Sequence, residues 1–214
     1  MEMIEYPKIQ TIWKREAERP CHIIPGEFSR PEFGSINRWH VTEKIDGMNV
    51  RVCWDGENVD FRGRTDRAEM PKGLMAHLQE TFTVEKMKEK FPGPVILFGE
   101  GYGAKIQKGG NYSPDQKFVL FEVLVDEWRL EPDNIKDIAG CLGINNVPFL
   151  GIMSTEEAVA QVNTLKWSSK LAETPDAAPE GIVCRSIPTL FNRRGECVMW
   201  KLKIKDYRHL SQDR

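Results

Sequence analysis

The chain has 214 residues, of which 40% are hydrophobic and 29% are charged, and its formal net charge is −2. This composition is typical of a globular protein with a substantial core and excludes a disordered one. The sequence contains neither an apolar run long enough to span a bilayer nor a secretion signal, so we expect a cytoplasmic protein with no membrane partner. Because the net charge is close to zero, any basic surface for a nucleic acid must be local.

The cysteines and histidines show no pattern of metal ligands. The five cysteines form no CxxC pair, which favours reduced structural thiols over a zinc site. The four histidines have no ligand spacing, and we assign them no catalytic role.

The first clear element along the chain is a β-hairpin. Apolar and polar residues alternate over 49–54, Asp55-Gly56 is a turn signal, and Val59 and Phe61 continue the alternation. Just before this hairpin, Lys44 lies within residues 43–49, EKIDGMN, which we interpret as a turn between two short apolar runs.

Helical spacing of apolar residues predicts one helix over 71–82 and a second over 84–91, where Pro-Gly-Pro ends the pattern. Strands are predicted over 95–100 and 118–125, separated by a glycine-rich loop over 99–105.

The last third of the chain adds two helices and two strands. Asp133 is expected to cap a helix that reaches Leu142, and the residues STEE at 154–157 spell a capping box ahead of another. Residues 174–179 are typical of a surface loop, and strands are predicted over 181–186 and 197–205. Strands outnumber helices and are mostly joined by hairpins, so the predicted class is α+β with mostly antiparallel sheets.

Lys44-x-Asp46-Gly47 is a weak signal by itself. Ordinary residue usage gives such a tetrapeptide by chance roughly one time in twenty in a chain of this size. A surface turn is therefore the ordinary interpretation of these residues alone.

Further motifs follow Lys44 in order, and together they resemble a known family. They are Arg62-Gly63-Arg64-Thr65, Phe98-Gly99-Glu100-Gly101, Phe118 to Val123, Glu180-Gly181-Ile182-Val183 and Trp200-Lys201-Leu202-Lys203. Their order and spacing, over about 43–203, resemble the covalent nucleotidyltransferase superfamily of DNA ligases, RNA ligases and capping enzymes. Glu-Lys-x-Asp-Gly-x-Asn with a downstream Arg-Thr and Phe-Gly-Glu is most similar to the ATP-dependent RNA ligases.

The resemblance implies an adenylation fold, with helices flanking the sheets, over a single nucleotidyltransferase domain, 1–214. It also implies that Lys44 is the nucleophile and that Glu180 ligates Mg²⁺, with Mn²⁺ as an alternative. The implied ATP and AMP contacts come from Glu43, Asn49, Arg64, Glu100, Phe121, Lys201 and Lys203. Glu100 would bind the ribose and Phe121 would stack on adenine.

Residue chemistry agrees with several of these roles but leaves ordinary alternatives open. A lysine attacks only as the neutral amine, and its unperturbed pKa is about 10.4, so neighbouring cations or a metal must lower it. Lys201, Lys203 and Lys205 alternate with apolar residues, which places three ammonium groups on one strand face about 7 Å apart. That face could instead be merely solvated, with Lys205 the most dispensable of the three.

Similar alternatives apply to Glu180 and Phe121. A carboxylate at the head of a strand suits Mg²⁺ but is also a common surface feature. Phe121 and Phe118 should lie on opposite faces of their strand because their spacing is odd, and Phe121 could be an ordinary core residue. Lys105 and Lys108 suit a nucleic acid, a triphosphate or a solvated loop equally well. The glycines match neither a dinucleotide-binding nor a P-loop motif.

The implied reaction has three steps: formation of a lysyl-adenylate, transfer of AMP to an RNA 5′-phosphate, and sealing by a 3′-hydroxyl, as in RNA repair. The partners would be RNA ends, of which a nicked or splinted duplex is one form. Only residues 206–214 follow Lys205, so we expect no C-terminal extra domain and an accessory protein that supplies RNA grip. The alternatives are an ATP-dependent DNA ligase, a GTP-using capping guanylyltransferase and a catalytically silent RNA-binding module.

Overall fold

The structure, a computed structural model, describes residues 4–66, 68–164 and 167–211, with side chains as far as Tyr207 in the last range. The chain divides into two compact units, each assembled from three segments. Unit 1 comprises Met1–Tyr6, Ile45–Val147 and Leu171–Ala177. Unit 2 comprises Pro7–Lys44, Pro148–Lys170 and Ala178–Arg214.

The strands, in chain order, are β1 (Gln10–Thr11), β2 (Trp13–Arg15), β3 (Ile23–Phe28), β4 (Trp39–Lys44), β5 (Met48–Trp54), β6 (Val59–Gly63), β7 (Val95–Tyr102), β8 (Lys117–Val125), β9 (Trp128–Arg129), β10 (Asn145–Asn146), β11 (Phe149–Met153), β12 (Gly181–Ser186) and β13 (Met199–Lys203). The α-helices are α1 (Pro31–Ser35), α2 (Lys72–Thr81), α3 (Val84–Lys90), α4 (Pro132–Leu142) and α5 (Thr155–Asn163), and 3₁₀ segments cover Gly109–Asn111 and Ile204–Ser211.

Unit 1 is built on a six-stranded sheet in the order β10-β8-β7-β5-β6, with β9 paired to β8. All pairs are antiparallel except β10 with β8. One face carries the core, which includes Val50, Val52 and Leu97 and receives Leu74 and Leu78 from α2. Alternation along β5 therefore turns Asn49 and Arg51 to the opposite face, which we call the polar face.

The glycine-rich segment 99–102 is strand, so the prediction that it belongs to a loop is wrong. A Cβ on Gly99 would lie 2.2 Å from the Phe118 ring, and a Cβ on Gly101 would lie 2.4 Å from a Leu74 methyl carbon. These glycines permit close packing on the core face of the sheet. Sequence composition suggested a loop because it does not show this tertiary contact.

Strand β8 contains a bulge that places two consecutive side chains on one face. Leu120 pairs with Gly99 and Glu122 pairs with Phe98, so Phe121 is the additional residue between them. Phe118 packs in the core, whereas Phe121 contacts Tyr6 on the polar face. The prediction that the two phenylalanines lie on opposite faces is confirmed.

Unit 2 is built on a five-stranded sheet in the order β1-β13-β12-β4-β11, with β2 and β3 forming a separate hairpin. Trp39 and Val41 of β4, Ile182 of β12, and Trp200 and Leu202 of β13 form its core with residues of α5. Lys44, Lys201 and Lys203 alternate with these residues, so they lie on the opposite face, which we call the lysine face.

Two boundaries in unit 2 differ from the predictions. Lys44 is the last residue of β4 and precedes the turn it was predicted to lie in. The last strand starts at Met199 and ends at Lys203, so the prediction that it covers 197–205 is wrong at both ends. Asp206 accepts a hydrogen bond from the Lys203 backbone N–H (3.1 Å) and pairs with Arg15 (3.0 Å), which turns the chain into the 3₁₀ segment.

The predicted helices form, and the Ser154–Glu157 capping box is confirmed. Asp133 does not cap α4 as predicted, because the helix begins at Pro132 and Asp133 lies in its first turn. Proline suits that first helical position because its missing N–H is not needed there. Among the described residues, none of the helices combines the length and the apolar character needed to cross a bilayer.

Candidate functional site

In unit 2, Lys44 and Lys203 bind the same carboxylate. Lys44 Nζ lies 2.5 Å from Glu180 Oε2, and Lys203 Nζ contacts Glu180 Oε1. Gly181 pairs with Lys44 on one side and with Lys203 on the other, so the two lysines lie in one row across β4, β12 and β13. We call Lys44, Glu180, Lys201 and Lys203 the lysine cluster.

Gly181 is required by the close approach of β12 to β13. A Cβ at this position would lie 2.1 Å from the Leu202 carbonyl oxygen and 2.7 Å from the Lys203 Cα. A larger residue at position 181 would therefore push β12 away from β13. Gly181 allows the close pairing that places Glu180 next to the lysines.

Burial and neighbouring charges shift the pKa values of two residues in the lysine cluster. Burial, together with the positive charges of Lys44 and Lys203, lowers the pKa of Lys201 to about 8. Burial would raise the pKa of Glu180, but Lys44 and Lys203 outweigh burial and hold that pKa below its ordinary value. Glu180 is thus a carboxylate at neutral pH, while Lys201 changes charge close to that range.

Glu43 lies on the core face of β4, next to Lys44 in sequence but on the other side of the sheet. It is 1% exposed, and its Oε2 accepts a hydrogen bond from the Lys170 backbone N–H at 2.8 Å. Its backbone N–H donates to the Pro148 carbonyl at 2.9 Å. Glu43 therefore fixes the end of β4 against Pro148 and Lys170.

In unit 1, Asn49 and Glu100 are cross-strand neighbours on the polar face. The Asn49 Oδ1 is buried and has no hydrogen-bond partner among the described residues. A Cβ on Gly47 would meet the Gly101 carbonyl oxygen at 2.2 Å and Glu100 Cγ at 2.9 Å. The glycine after Asp46 therefore lets the chain pass close to β7 beside Glu100.

Phe121 and Glu122 both contact Tyr6. The Tyr6 and Phe121 ring centroids are 4.9 Å apart with nearly perpendicular planes, and the Tyr6 hydroxyl donates to Glu122 Oε2 at 2.9 Å. Glu122 is 1% exposed and also pairs with Arg129. An aromatic pair and a neutralised carboxylate therefore fix the bulge of β8.

Arg64 is exposed, and the turn that carries it is held by Arg51. The Arg51 Nε donates to the Gly63 carbonyl at 2.9 Å, and its guanidinium donates to Asp66 Oδ1 at 2.8 Å. The same guanidinium reaches the Ile4 carbonyl at 3.3 Å. A fully buried cation thus clamps both sides of Arg64.

The structure brings together four of the predicted residues in unit 2, namely Lys44, Glu180, Lys201 and Lys203. In unit 1 it places Asn49, Glu100 and Phe121 on the polar face and Arg64 in the turn after β6. Sequence reasoning did not single out Tyr6, Arg51 or Glu122. A charged residue inside an apolar strand was an available signal for Arg51 and Glu122, whereas Tyr6 carries no local signal.

Glu180 is the carboxylate of the cluster that suits a divalent cation. Among the described residues, no group of three or more His, Cys, Asp and Glu side chains is arranged to hold a metal. Mg²⁺, however, usually takes one or two carboxylates and completes its shell with water and substrate phosphates. The lysine cluster fits that mode of binding, with Glu180 as the protein ligand.

Comparison with known proteins gives a family and a fold. The family model described as RNA ligase matches residues 37–203. The chain is similar to a Naegleria gruberi RNA ligase mutant in the apo form (TM-score 0.64, 18% identity, 98% of this chain, 60% of that chain). It is also similar to mutants of that ligase with ATP and Mn (TM-score 0.63, 18% identity, 98% and 64% of the chains) and with AMP and Mn (TM-score 0.64, 17% identity, 98% and 60%).

At this level of identity the likeness establishes the fold, and it confirms the predicted α+β class with a nucleotidyltransferase core. This chain spans about 60% of the length of the first of those ligase chains. A comparison with curated protein sequences gave no significant match.

Proposed function

This chain belongs to the RNA ligase family, and from that premise we propose that it is an ATP-dependent RNA ligase joining 3′-hydroxyl and 5′-phosphate RNA ends. The observation that carries the proposal is the shared contact of Lys44 and Lys203 with Glu180. It couples a candidate nucleophile to a second cation and to a carboxylate that can hold a metal.

The first step is attack of Lys44 Nζ on the α-phosphorus of ATP. A phosphorus–nitrogen bond forms, the bond to the bridging oxygen breaks, and pyrophosphate leaves. Lys44 has to leave its ion pair with Glu180 and lose a proton before it can attack. Mg²⁺ bound at Glu180, with Mn²⁺ as the alternative, would supply charge neutralisation to the phosphates.

Phosphate binding falls to Lys201, Lys203 and Arg64. Lys201 and Lys203 lie on the lysine face beside Lys44, and Arg64 offers a planar fork of donors suited to phosphate. Phosphoryl transfer depends mostly on positioning and charge neutralisation. Lys201 and Lys203, side by side on the lysine face, supply both.

Nucleoside binding falls to the polar face of unit 1. Phe121, fixed edge-on by Tyr6, stacks on adenine, and Glu100 accepts from the ribose hydroxyls. The buried Asn49 Oδ1 gains a partner when the nucleotide binds. Glu43 contributes by holding the end of β4, and so the position of Lys44.

In the next two steps an RNA 5′-phosphate oxygen attacks the α-phosphorus and releases Lys44, and an RNA 3′-hydroxyl then displaces AMP. The substrates are RNA ends, of which a nicked or splinted duplex is one form, and the reaction belongs to cytoplasmic RNA repair. We further propose that residues 1–214 act as a single nucleotidyltransferase domain. An accessory protein would supply additional RNA grip.

The first step is tested with ATP labelled at the α-phosphate and Mg²⁺, after bound AMP has been removed with pyrophosphate. We expect covalent label on the wild-type protein and on Lys205→Ala, and none on Lys44→Ala. Lys205 is a matched control because it is exposed and lies beyond the end of β13. Absence of label on the wild-type protein would contradict the proposed ligase activity and favour a catalytically silent RNA-binding module.

The polynucleotide and the nucleotide are tested separately. Nicked RNA and nicked DNA duplexes of the same sequence distinguish an RNA ligase from a DNA ligase. Label from GTP in place of ATP would identify a capping guanylyltransferase.

A further inference from the structure

The lysine face of the five-stranded sheet also carries two stacked rings. The ring centroids of His40 and Phe149 are 4.6 Å apart, and the ring planes are inclined by 25°. Phe149 remains 48% exposed despite this contact. We call His40 and Phe149 the ring pair.

The ring pair lies on the same face as the catalytic candidates. Trp39 and Val41 point into the core of unit 2, so His40 and Lys44 point to the other side of β4. Phe149 of β11 pairs with Thr42, which is two residues from Lys44. Two residues along a strand and one strand across place Phe149 roughly 8 Å from Lys44, measured between backbones.

A bulge in β11 turns Phe149 away from the core. Pairing shifts between Phe149 and Gly151, and Leu150 and Met153 pack against the core of unit 2. Ile152, which pairs with His40, is 53% exposed. The strand thus covers the core with one set of side chains and presents two others on the lysine face, Phe149 near Lys44 and Ile152 opposite His40.

Lysine side chains lie on one side of the ring pair, and two of them share the carboxylate of Glu180. The Lys170 ammonium group, which is exposed, donates to the Phe149 carbonyl at 3.4 Å, and Lys44, Lys201 and Lys203 lie on the same face. Aromatic rings beside a row of cations are the usual means of binding single-stranded nucleic acid, since bases stack on the rings and phosphates pair with the cations. A protein partner would meet four lysines here, and an acidic strand of RNA complements them.

We propose that the ring pair is a stacking platform for a base of the RNA strand whose end is brought to Lys44. The inference rests on the proposed function, because it assigns the RNA, not the nucleotide, to the β11 side of the lysine face. A separation of roughly 8 Å corresponds to about two base steps of 3.4 Å. The stacked base therefore belongs to one of the first few nucleotides of the strand.

The test compares RNA affinities of Phe149→Ala and Trp128→Ala without ATP, using a 5′-phosphorylated RNA and the same RNA with abasic nucleotides near its end. Trp128 is a matched control, since it is 77% exposed and belongs to unit 1. Loss of one base stack should weaken binding by Phe149→Ala roughly 5- to 150-fold. Trp128→Ala should bind as the wild type does.

The abasic RNA separates stacking from a general defect. The wild-type protein should bind RNA that lacks the stacked base more weakly than intact RNA, by about the same factor. The affinity of Phe149→Ala should differ little between the two RNAs. Lysyl-adenylate formation by Phe149→Ala reports whether the lysine cluster is still folded. An unchanged RNA affinity in a folded Phe149→Ala protein would overturn the platform and would be the result if the ring pair binds another protein. The platform would also be overturned if the substitution weakened binding of intact and abasic RNA by the same factor.

Failure of the proposed function has a different signature. If the wild-type protein forms no lysyl-adenylate but its RNA affinity depends on Phe149, the platform stands and the ligase activity does not. If it forms the adenylate and its RNA affinity is independent of Phe149, the opposite holds.

Discussion

Lys44 and Lys203 bind opposite oxygens of one carboxylate, that of Glu180, although they belong to strands that are not adjacent. The arrangement depends on the middle strand carrying no side chain at the position between them. Gly181 therefore lets β12 lie close to the backbone of β13, the strand that carries Lys203.

Gly181→Ala should destabilise the protein. A Cβ would meet the Leu202 carbonyl oxygen at 2.1 Å, and relieving such a clash by moving backbone costs about 1–3 kcal/mol. Urea unfolding measures the loss. Gly140→Ala is the control, since it lies in α4 with nothing within 4 Å of an added Cβ, and alanine in a helix should stabilise by up to about 1 kcal/mol. Equal stability of the two variants would contradict the clash.

Nucleotide binding near pH 8 should take up a proton. With a pKa of about 8, Lys201 is half charged there, and a phosphate beside it favours the ammonium form and raises its pKa. Uptake should approach about half a proton at pH 8 and vanish near pH 6, where Lys201 is charged before and after binding. Calorimetry in buffers of different ionisation enthalpy measures it.

Lys201→Arg is the control for that experiment. Arginine stays charged throughout this range, so the variant should bind nucleotide without the additional uptake. Identical proton uptake by wild type and Lys201→Arg would show that Lys201 does not contact the phosphates.

Arg51→Met should cost more stability than Arg62→Met. Arg51 is fully buried and binds the Gly63 carbonyl and Asp66, and an unpaired buried acceptor costs about 1–3 kcal/mol. Arg62 pairs with the same Asp66 and with Asp60 but is more exposed than Arg51, so its loss should cost less than the loss of Arg51. Thermal unfolding of both variants is the measurement, and a reversed order would show that Arg51 does not clamp the turn.

Tyr6→Phe should destabilise the protein, because it removes a hydrogen bond to Glu122. The ring contacts with Phe98 and Phe121 survive, but the buried carboxylate loses its hydroxyl donor. Hydrogen bonds to charged groups are worth about 1.5–3 kcal/mol. A double-mutant cycle with Glu122→Met, which has a similar size but no strong acceptor, measures the coupling, and additive effects would show that the hydrogen bond contributes nothing.

Local patterns predicted most of the secondary structure. The hairpin of β5 and β6 and the capping box at Ser154 each depend on residues that are close in sequence. Gly99 and Gly101 were misassigned to a loop because their role is to admit Phe118 and Leu74, which are distant in sequence. Lys205 was misassigned to a strand because the contact of Asp206 with Arg15 ends β13.

The candidate site was predictable where motif residues themselves carry the chemistry. The strand order places β12 between β4 and β13, which brings together Lys44, Glu180, Lys201 and Lys203. This strand order could not be predicted from the sequence. Tyr6 and Arg51 act through other residues, so a search for reactive groups passes over them. The position of Phe149 beside Lys44 depends on a strand at the sheet edge, β11, that the sequence pattern did not predict.

The interleaving of the two units along the chain has a consequence for biosynthesis. Unit 2 supplies β4 early, but its neighbour β11 comes from the middle segment of the unit, and β12, which pairs with both β4 and β13, comes from the last. The core around Trp39 and Val41 therefore cannot form until Ile182 and Trp200 have left the ribosome. Because exposed apolar strands are prone to aggregation at this stage, the segment that ends in Lys44 is where we expect a nascent chain to need a chaperone most.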